Sequence, residues 1–554
     1  MAEYPIGKIS DYKDGHKQEV AVGSSKVLIS KIDGQIYATS SKCTHYGAPL
    51  AKGVLSYEGR ITCPWHGACF NVKTGDIEDS PGMDNLQSFK VIIKDDDNVY
   101  VEVDEAGKDF QSLKAGRRPP KCIITPTINE DTLGGGNVIT ENDTIVILGG
   151  GASGNSAAEK LRETGYCGRV VLVSREPYLP IDRPKLSKNF GFGIEKLFLR
   201  NQAFYDQLSI TLKLGTAATK VDPTSKSVSL DNGEELKYNS LIIATGADPR
   251  SIPVPGIDLK NVLYLRTFND YKKIEGIVNE NDEKKNLVII GSSFIGMEVA
   301  AMSSKKAKVS VIGMEKVPFE RVLGEKVGKV FQTLHESHGI KFHLKAGVTA
   351  IEPSETDPTV VGAVVLGDGT KIKADIVVVG AGVIPSTGFL KGTPEFKLEK
   401  DGGIKVTDSF QVEGLKDVYA IGDIAKINYS VTGEPLRIEH WSFAENTGRA
   451  VAEAIVSRKI IPFKKIPYFW SNQLSKGLRY CGYASSFDDV IVQGSLEEMK
   501  FAAFYASGDK ILAVATMSSD PIASHCSELF RLGKFPTATE IRNGKSPIDV
   551  PLTA

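Results

Sequence analysis

Twice in this 554-residue chain an apolar run stops at a glycine-rich turn that opens a helix-length segment. Ile145-Val146-Ile147-Leu148 runs into Gly149-x-Gly151-x-x-Gly154, and Leu287-Val288-Ile289-Ile290 runs into Gly291-Ser292-Ser293-Phe294-Ile295-Gly296. An unbroken apolar run fits a strand covered on both faces, as in parallel α/β sheets. The glycines let backbone approach a pyrophosphate at the helix N-terminus. Later apolar runs also end in glycine, at Gly246, Gly380 and Gly422. Two dinucleotide-binding units, one nested inside the other, explain this spacing better than one large sheet.

The flanks have a different texture. Residues 1–104 hold short alternating runs such as Lys26-Val27-Leu28-Ile29, separated by Gly and Asp, and predict a small all-β domain. Residues 105–142, with Gly134-Gly135-Gly136, read as a connector. The first nucleotide unit is expected over 143–267 and resumes over 401–463, around a second unit at 268–400. Residues 464–554 suggest a strand-rich α+β closing domain with a terminal helix.

A formal net charge of −1 gives no pull toward nucleic acid. Basic pairs such as Lys305-Lys306 and Lys464-Lys465 read as solvated faces. No run of about 18 apolar residues exists, so no membrane span is expected. The N-terminal segment reads as neither a secretory signal nor a mitochondrial presequence. With seven cysteines, an odd number far short of a disulfide framework, a reducing cytoplasmic compartment is expected.

Two cysteine–histidine pairs carry redox chemistry. Cys43-Thr44-His45 and Cys63-Pro64-Trp65-His66 lie on stretches whose Gly47, Pro49 and Gly67 permit facing loops. In a Rieske [2Fe–2S] centre two thiolates hold one iron and two imidazoles the other. A zinc site is the competing reading, but zinc fingers usually pair Cys with Cys and His with His. Cys69 reads as a small packed loop residue.

CTHYGAPL and CPWHGACF resemble the ligand loops of the Rieske ferredoxin family. Ala48 and Trp65 stand where high-potential members carry a further cysteine pair, so the resemblance implies the low-potential subclass. Asp182-Arg183-Pro184-Lys185-Leu186-Ser187-Lys188 resembles an element of the flavin-dependent ferredoxin reductases and apoptosis-inducing-factor-like proteins. That resemblance implies FAD, reached by Arg183 and Lys188, with its pyrophosphate over Gly149, Gly151, Ala152, Ser153 and Gly154. Ala244-Thr245-Gly246 resembles the family's strand end, and Gly422-Asp423 its second FAD fingerprint, whose aspartate holds the ribityl chain. Glu439-His440-Trp441 and Phe469-Trp470-Ser471 are similar to segments lining the isoalloxazine. Arg175 occupies the usual place of the adenosine-ribose acid, which leaves Glu176 for that role.

Gly291, Ser293, Phe294, Ile295 and Gly296 form the expected nicotinamide-coenzyme turn, with Ser293 in place of the central glycine. By resemblance Glu298 would pair with Lys188 near the flavin N5, the two forming the catalytic pair. Glu315 would bind the 2′-hydroxyl of NADH, while Lys316 and Arg321 keep NADPH open. Gly380–Pro385, with Gly382, resembles the family's further nicotinamide-side loop.

No Cys-x₂-Cys or Cys-x₄-Cys occurs, so the two-cysteine centre of disulfide reductases is missing. The whole chain resembles the Rieske-fused branch of the apoptosis-inducing-factor family. An oxidoreductase is expected that passes electrons from NAD(P)H through FAD to the cluster. An exposed His45/His66 edge, or the flavin face, would serve an acceptor that the sequence does not name. Two rivals remain at this point: a slow redox-sensing interaction flavoprotein, and a dedicated reductase for a separate ferredoxin or oxygenase.

Overall fold

Strand alternation sets the N-terminal domain. Val99, Val101 and Val103 on Asn98–Val103 point inward while their neighbours face out. This strand lies in a six-stranded antiparallel sheet, in the order Ala2–Lys8, Asn98–Val103, Ser88–Ile93, Gln35–Ser40, Ser25–Ile32, Lys17–Val22. A four-stranded sheet of Val54–Leu55, Arg60–Thr62, Cys69–Asn71 and Ile77–Asp79 packs a separate core around Ile61, Phe70 and Val72. Cys69 is fully buried there, in a strand rather than the expected loop.

The computed structural model describes residues 2–94, 97–103, 114–115, 142–280 and 283–552. The expected connector therefore lies outside the described residues, except for Asn142 and for Lys114–Ala115, which pairs with Asn85–Leu86.

The first unit is a parallel sheet ordered Ile210–Leu214, Arg169–Ser174, Thr144–Leu148, Ser240–Ile243, Val418–Ala420. Its last strand arrives only after the second unit is complete, as nesting requires. That second sheet runs Val262–Leu263, Ile376–Val379, Asn286–Ile290, Lys308–Ile312, Lys341–His343, also parallel. Central residues such as Ile147, Leu241, Ile289 and Val378 are 0% exposed, as strands covered on both faces demand. Each such side chain contributes about 1.5–3 kcal/mol of burial.

Helix Ala152–Glu163 packs against helix Trp441–Ser457 closely enough that a Cβ on Gly448 would lie 2.2 Å from the Ser153 carbonyl oxygen. The closing domain is a five-stranded antiparallel sheet, Tyr468–Gln473, Lys476–Gly482, Lys510–Met517, Lys500–Ser507, Asp489–Ser495. Two helices follow, Ile522–Leu532 and Ala538–Arg542, where one was expected.

The N-terminal domain is docked on the rest by polar contacts. Arg200 holds Asp84 at 2.8 Å and the Met83 carbonyl at 2.9 Å, and Ser524 donates to the Cys63 carbonyl at 2.8 Å. The Ser80 N–H donates to Asn446 Oδ1 at 2.9 Å, and Arg531 pairs with Glu58 at 2.7 Å. Lys465 pairs with Asp79, so it is an interdomain contact and not the solvated face expected for it. Lys305 and Lys306 are exposed as expected. No described helix is long and apolar enough to cross a membrane. Among the described cysteines Cys43, Cys63, Cys69, Cys481 and Cys526 are free thiols, and Cys167 is disulfide-bonded.

Candidate functional site

The two cysteine–histidine loops share one backbone design. The Cys43 N–H donates to the Ala48 carbonyl at 2.9 Å and the Gly47 N–H to the Cys43 carbonyl at 2.9 Å. In the second loop Cys63 bonds Ala68 at 2.8 Å and Gly67 bonds Cys63 at 3.3 Å in the same pattern. Gly47 and Gly67 turn each loop with φ of 75° and 74°, left-handed values that favour glycine. Gly67 also has no room for a side chain, since a Cβ would lie 2.8 Å from the Tyr468 ring.

These loops bring all four expected ligands together. The Nδ1 atoms of His45 and His66 lie 3.0 Å apart, and the Cys43 and Cys63 thiols hydrogen-bond each other. Each sulfur also accepts two backbone N–H bonds, Cys43 from His45 and Tyr46, Cys63 from Trp65 and His66. Hydrogen bonding to Cys63, then burial, pushes Cys43 well up. Burial alone would raise Cys63, but the bonds from Cys43, Trp65 and His66 outweigh it and bring that thiol down. Burial, then His45, Arg479 and Lys188, hold His66 well below the usual histidine range, hence neutral.

The two sulfurs meet each other and the two imidazoles meet each other. A two-iron cluster asks for only two protein ligands on each iron. Neutral imidazoles and N–H-solvated sulfurs fit that group. The expected exposed histidine edge is corrected. His66 is 4% exposed, because Trp470 lies over it with ring centroids 4.4 Å apart. His45 is half-buried beneath Tyr46, which stacks on it at 3.7 Å and is itself 41% exposed. Tyr46 is fixed in turn by its hydroxyl, which donates to Asp182 at 2.8 Å.

Trp470 also lines the main cavity, about 830 Å³ in volume, between the two nucleotide units and the closing domain. At one end the cavity is floored by the first glycine turn, with Gly149, Gly151, Ala152 and Ser153 on its wall. Gly154 stands behind the wall and holds the turn's shape, since a Cβ there would sit 1.9 Å from the Gly149 carbonyl oxygen. Gly154→Ala is therefore expected to distort the turn, cost about 1–3 kcal/mol of stability and release flavin. Absorbance at the flavin band after gel filtration, with a denaturant titration, checks both effects.

Along the cavity lie Glu176 and Arg183, paired with each other at 2.5 Å, and Arg175, which pairs with Asp248 at 2.6 Å. Ala244, Thr245 and Gly246 line it too, and the Thr245 hydroxyl donates to the Ser386 carbonyl at 2.8 Å. Asp423 reaches it beside Arg266, a partner at 3.4 Å that sequence reasoning missed. His440 and Trp441 close the inner side, where helix Trp441–Ser457 presents its positive end. Burial pushes His440 down to about 4, and its buried Nδ1 has no partner within the protein, as suits a nitrogen that bonds a bound polar group. Floor, volume and unpartnered nitrogen fit a flavin dinucleotide.

Glu298, 5% exposed in helix Phe294–Ser303, pairs with Lys188 and accepts hydrogen bonds from Ser187 and, at 2.6 Å, Ser471. Both serines lie in segments that the sequence singles out, but their convergence on Glu298 escaped sequence reasoning, because hydroxyls on distant segments leave no spacing signal. The Glu298–Lys188 pair, Phe294 and Ile295 face the cavity. Gly291, Ser293, Gly296, Glu315 and Gly382 lie outside its lining. Gly291 and Gly296 repeat the close approaches of the first turn, with built Cβ atoms 2.4 Å from the Gly380 oxygen and 2.2 Å from the Gly291 oxygen. Gly382 has φ 95° and open space around it.

Sequence families divide along the same lines. Residues 2–90 match the Rieske [2Fe-2S] domain, 468–549 the reductase C-terminal domain, and 143–448 the pyridine nucleotide-disulphide oxidoreductases. The chain belongs to the pyridine nucleotide-disulphide oxidoreductase family. Within that family it is 37% identical to apoptosis-inducing factor 3 of Homo sapiens over 96% of this chain and 84% of that one. It is 34% identical to the putidaredoxin reductase of Pseudomonas putida over 68% of this chain and 89% of the other. The structure of a covalent putidaredoxin reductase–putidaredoxin complex matches it with a TM-score of 0.69 and 30% identity, over 74% of this chain and 98% of that one. Like other members of this oxidoreductase family the protein is an NAD(P)H-dependent FAD enzyme, and it adds a Rieske [2Fe–2S] domain.

Proposed function

We propose that this chain passes electrons from NADH through FAD to its own Rieske cluster, and from there to an acceptor that meets the protein at Tyr46. The observation that carries the reading is Trp470. One indole lines the flavin cavity and touches both ligand histidines, at centroid distances of 4.4 Å from His66 and 5.5 Å from His45. When bound, FAD supplies the conversion of a two-electron donation into single electrons.

The protein's own groups prepare that conversion. Ser187, Ser471 and Lys188 hold the Glu298 carboxylate, and Glu298 in turn fixes the Lys188 ammonium at the cavity wall. Helix Trp441–Ser457 turns its positive end toward the cavity, which favours negative charge there. Tyr46 provides the exposed aromatic path outward from His45. Glu315 is the acid proposed to meet the coenzyme ribose and select NADH.

The putidaredoxin reductase structure is of a complex with a second protein, putidaredoxin. Here the Rieske domain occupies the reductase surface as part of the same chain, which supports internal transfer. Anaerobic titration with NADH tests it: uptake should exceed what the flavin alone holds, with the cluster's electron-spin signal appearing. A titration that ends at the reduced flavin would sink the proposal.

Gly67→Ala gives a sharper check, because a methyl group there meets the Tyr468 ring and strains a left-handed turn by roughly 1 kcal/mol. The cluster loop should lift from Trp470. Flavin reduction by NADH is expected to stay normal while cluster reduction slows, as stopped-flow absorbance at the two chromophores will show.

A further inference from the structure

The two nucleotide turns match residue for residue. The Gly149 N–H donates to the Val173 carbonyl at 2.8 Å, and the Gly291 N–H to the Ile312 carbonyl at 2.8 Å. Ser174 therefore corresponds to Gly313, Arg175 to Met314 and Glu176 to Glu315. Each acid stands three residues past the carbonyl that its turn glycine bonds, Glu176 after Val173 and Glu315 after Ile312.

At the junction of turn and strand, the units exchange small and large. In the first, Gly150 is on the turn and Ser174 on the strand, and a Cβ on Gly150 would sit 2.8 Å from Ser174 Oγ. In the second, Ser292 is on the turn and Gly313 directly follows strand Lys308–Ile312, and a Cβ on Gly313 would sit 2.6 Å from Ser292 Oγ. Neither Gly150 nor Gly313 has a positive φ, so space and not backbone freedom demands them. The junction has room for one hydroxymethyl group, and the second unit carries it on the turn.

That exchange has a chemical result. Ser292 Oγ donates to Glu315 Oε2 at 3.2 Å and so ties the acid back to the dinucleotide turn. In the first unit Glu176 is held differently, by Arg183 at 2.5 Å and the Tyr178 hydroxyl at 2.9 Å. The other oxygen of Glu315 meets Arg321 Nε at 3.3 Å. Arg321, its side chain 77% exposed, reaches the main cavity, while the neighbouring Lys316 is turned to Glu325 at 3.4 Å.

We propose that Ser292, seated by Gly313, is the positioning residue that brings Glu315 to the coenzyme ribose, and that Glu315 holds in check an Arg321 able to take a 2′-phosphate. This rests on the NADH reading above. A carboxylate at the turn accepts hydrogen bonds from ribose hydroxyls and repels a 2′-phosphate. Losing it would leave a guanidinium suited to that phosphate.

The experiment uses full-length, flavin-loaded protein. Calorimetry gives Kd for NAD⁺ and NADP⁺, and flavin reduction gives kcat/KM for NADH and NADPH. Glu315→Gln is expected to shift both ratios toward the phosphorylated coenzyme by about 10–100-fold, the range of a lost charged hydrogen bond. Adding Arg321→Ala should remove the gain in NADP⁺ affinity. The exchange Ser292→Gly with Gly313→Ser copies the first unit's packing while releasing Glu315, and should move the ratios about 3–10-fold the same way. Ser292→Ala, which deletes only the hydroxyl, serves where the double exchange fails to fold. Unchanged ratios in Glu315→Gln or in the serine variants, or an NADP⁺ gain that survives loss of Arg321, would overturn the inference. A wild-type protein that itself prefers NADPH would instead defeat the NADH reading on which it rests.

Discussion

Cys63→Ser is expected to leave NADH reducing the flavin while abolishing delivery to any acceptor that depends on the cluster. Cys63 is 1% exposed, and its sulfur accepts the N–H groups of Trp65 and His66. Serine keeps the shape but offers a hydroxyl that stays protonated at neutral pH, whereas iron is held by thiolate. Changes around a metal ligand typically cost 10–100-fold in affinity or activity. Loss of a ligand itself should exceed that and remove the electron-spin signal outright. The same variant separates the rivals. A chain whose turnover with a protein acceptor survives Cys63→Ser would be delivering electrons from its flavin, with the cluster a bystander.

Glu298→Gln carries the second large effect. The carboxylate is 5% exposed and bonded to Lys188, Ser187 and Ser471. Its amide replacement leaves Lys188 without a counter-charge and turns one end of the side chain into a donor facing donors. Breaking a buried pair by removing one partner costs about 3–5 kcal/mol. Misplacing an electrostatic group at a reacting centre costs roughly 10²–10³ in rate. Reduction of the flavin by NADH should fall by that factor and the denaturation midpoint should drop. Ser471→Ala, which removes one donor and leaves the pair, should give a smaller loss of the same kind. Equal flavin reduction rates in wild type and Glu298→Gln would remove Glu298 and Lys188 from the proposed chemistry.

Most of the fold could be read from the chain, for a definite reason. Parallel strands covered on both faces leave unbroken apolar runs, and a close backbone approach leaves a glycine, so both units and their turns are written locally. The same holds for the cluster loops, where ligands and turn glycines fall within two short stretches. What could not be read depends on contacts between distant segments. Arg266 reaching Asp423, and Ser187 and Ser471 converging on Glu298, have no common spacing. The burial of His66 follows from the docking of a separate domain, and a sequence that looks like a ferredoxin loop suggests an exposed edge. Lys465 was misjudged for the same reason, since its partner Asp79 lies in another domain.

Glu176 and Glu315 sit between these extremes. Their positions in the chain are visible, but their correspondence emerges only from matched hydrogen bonds at Gly149 and Gly291. The serine–glycine exchange behind them is a packing fact that spacing alone does not reveal.

The central claim is internal transfer from flavin to cluster across Trp470. Anaerobic stopped-flow mixing with excess NADH, followed at flavin and cluster wavelengths over a range of protein concentrations, tests it most directly. Cluster reduction is expected to follow flavin reduction at a rate independent of protein concentration, and to slow in Trp470→Leu. Cluster reduction that scales with protein concentration, or a cluster that stays oxidised behind a fully reduced flavin, would contradict it.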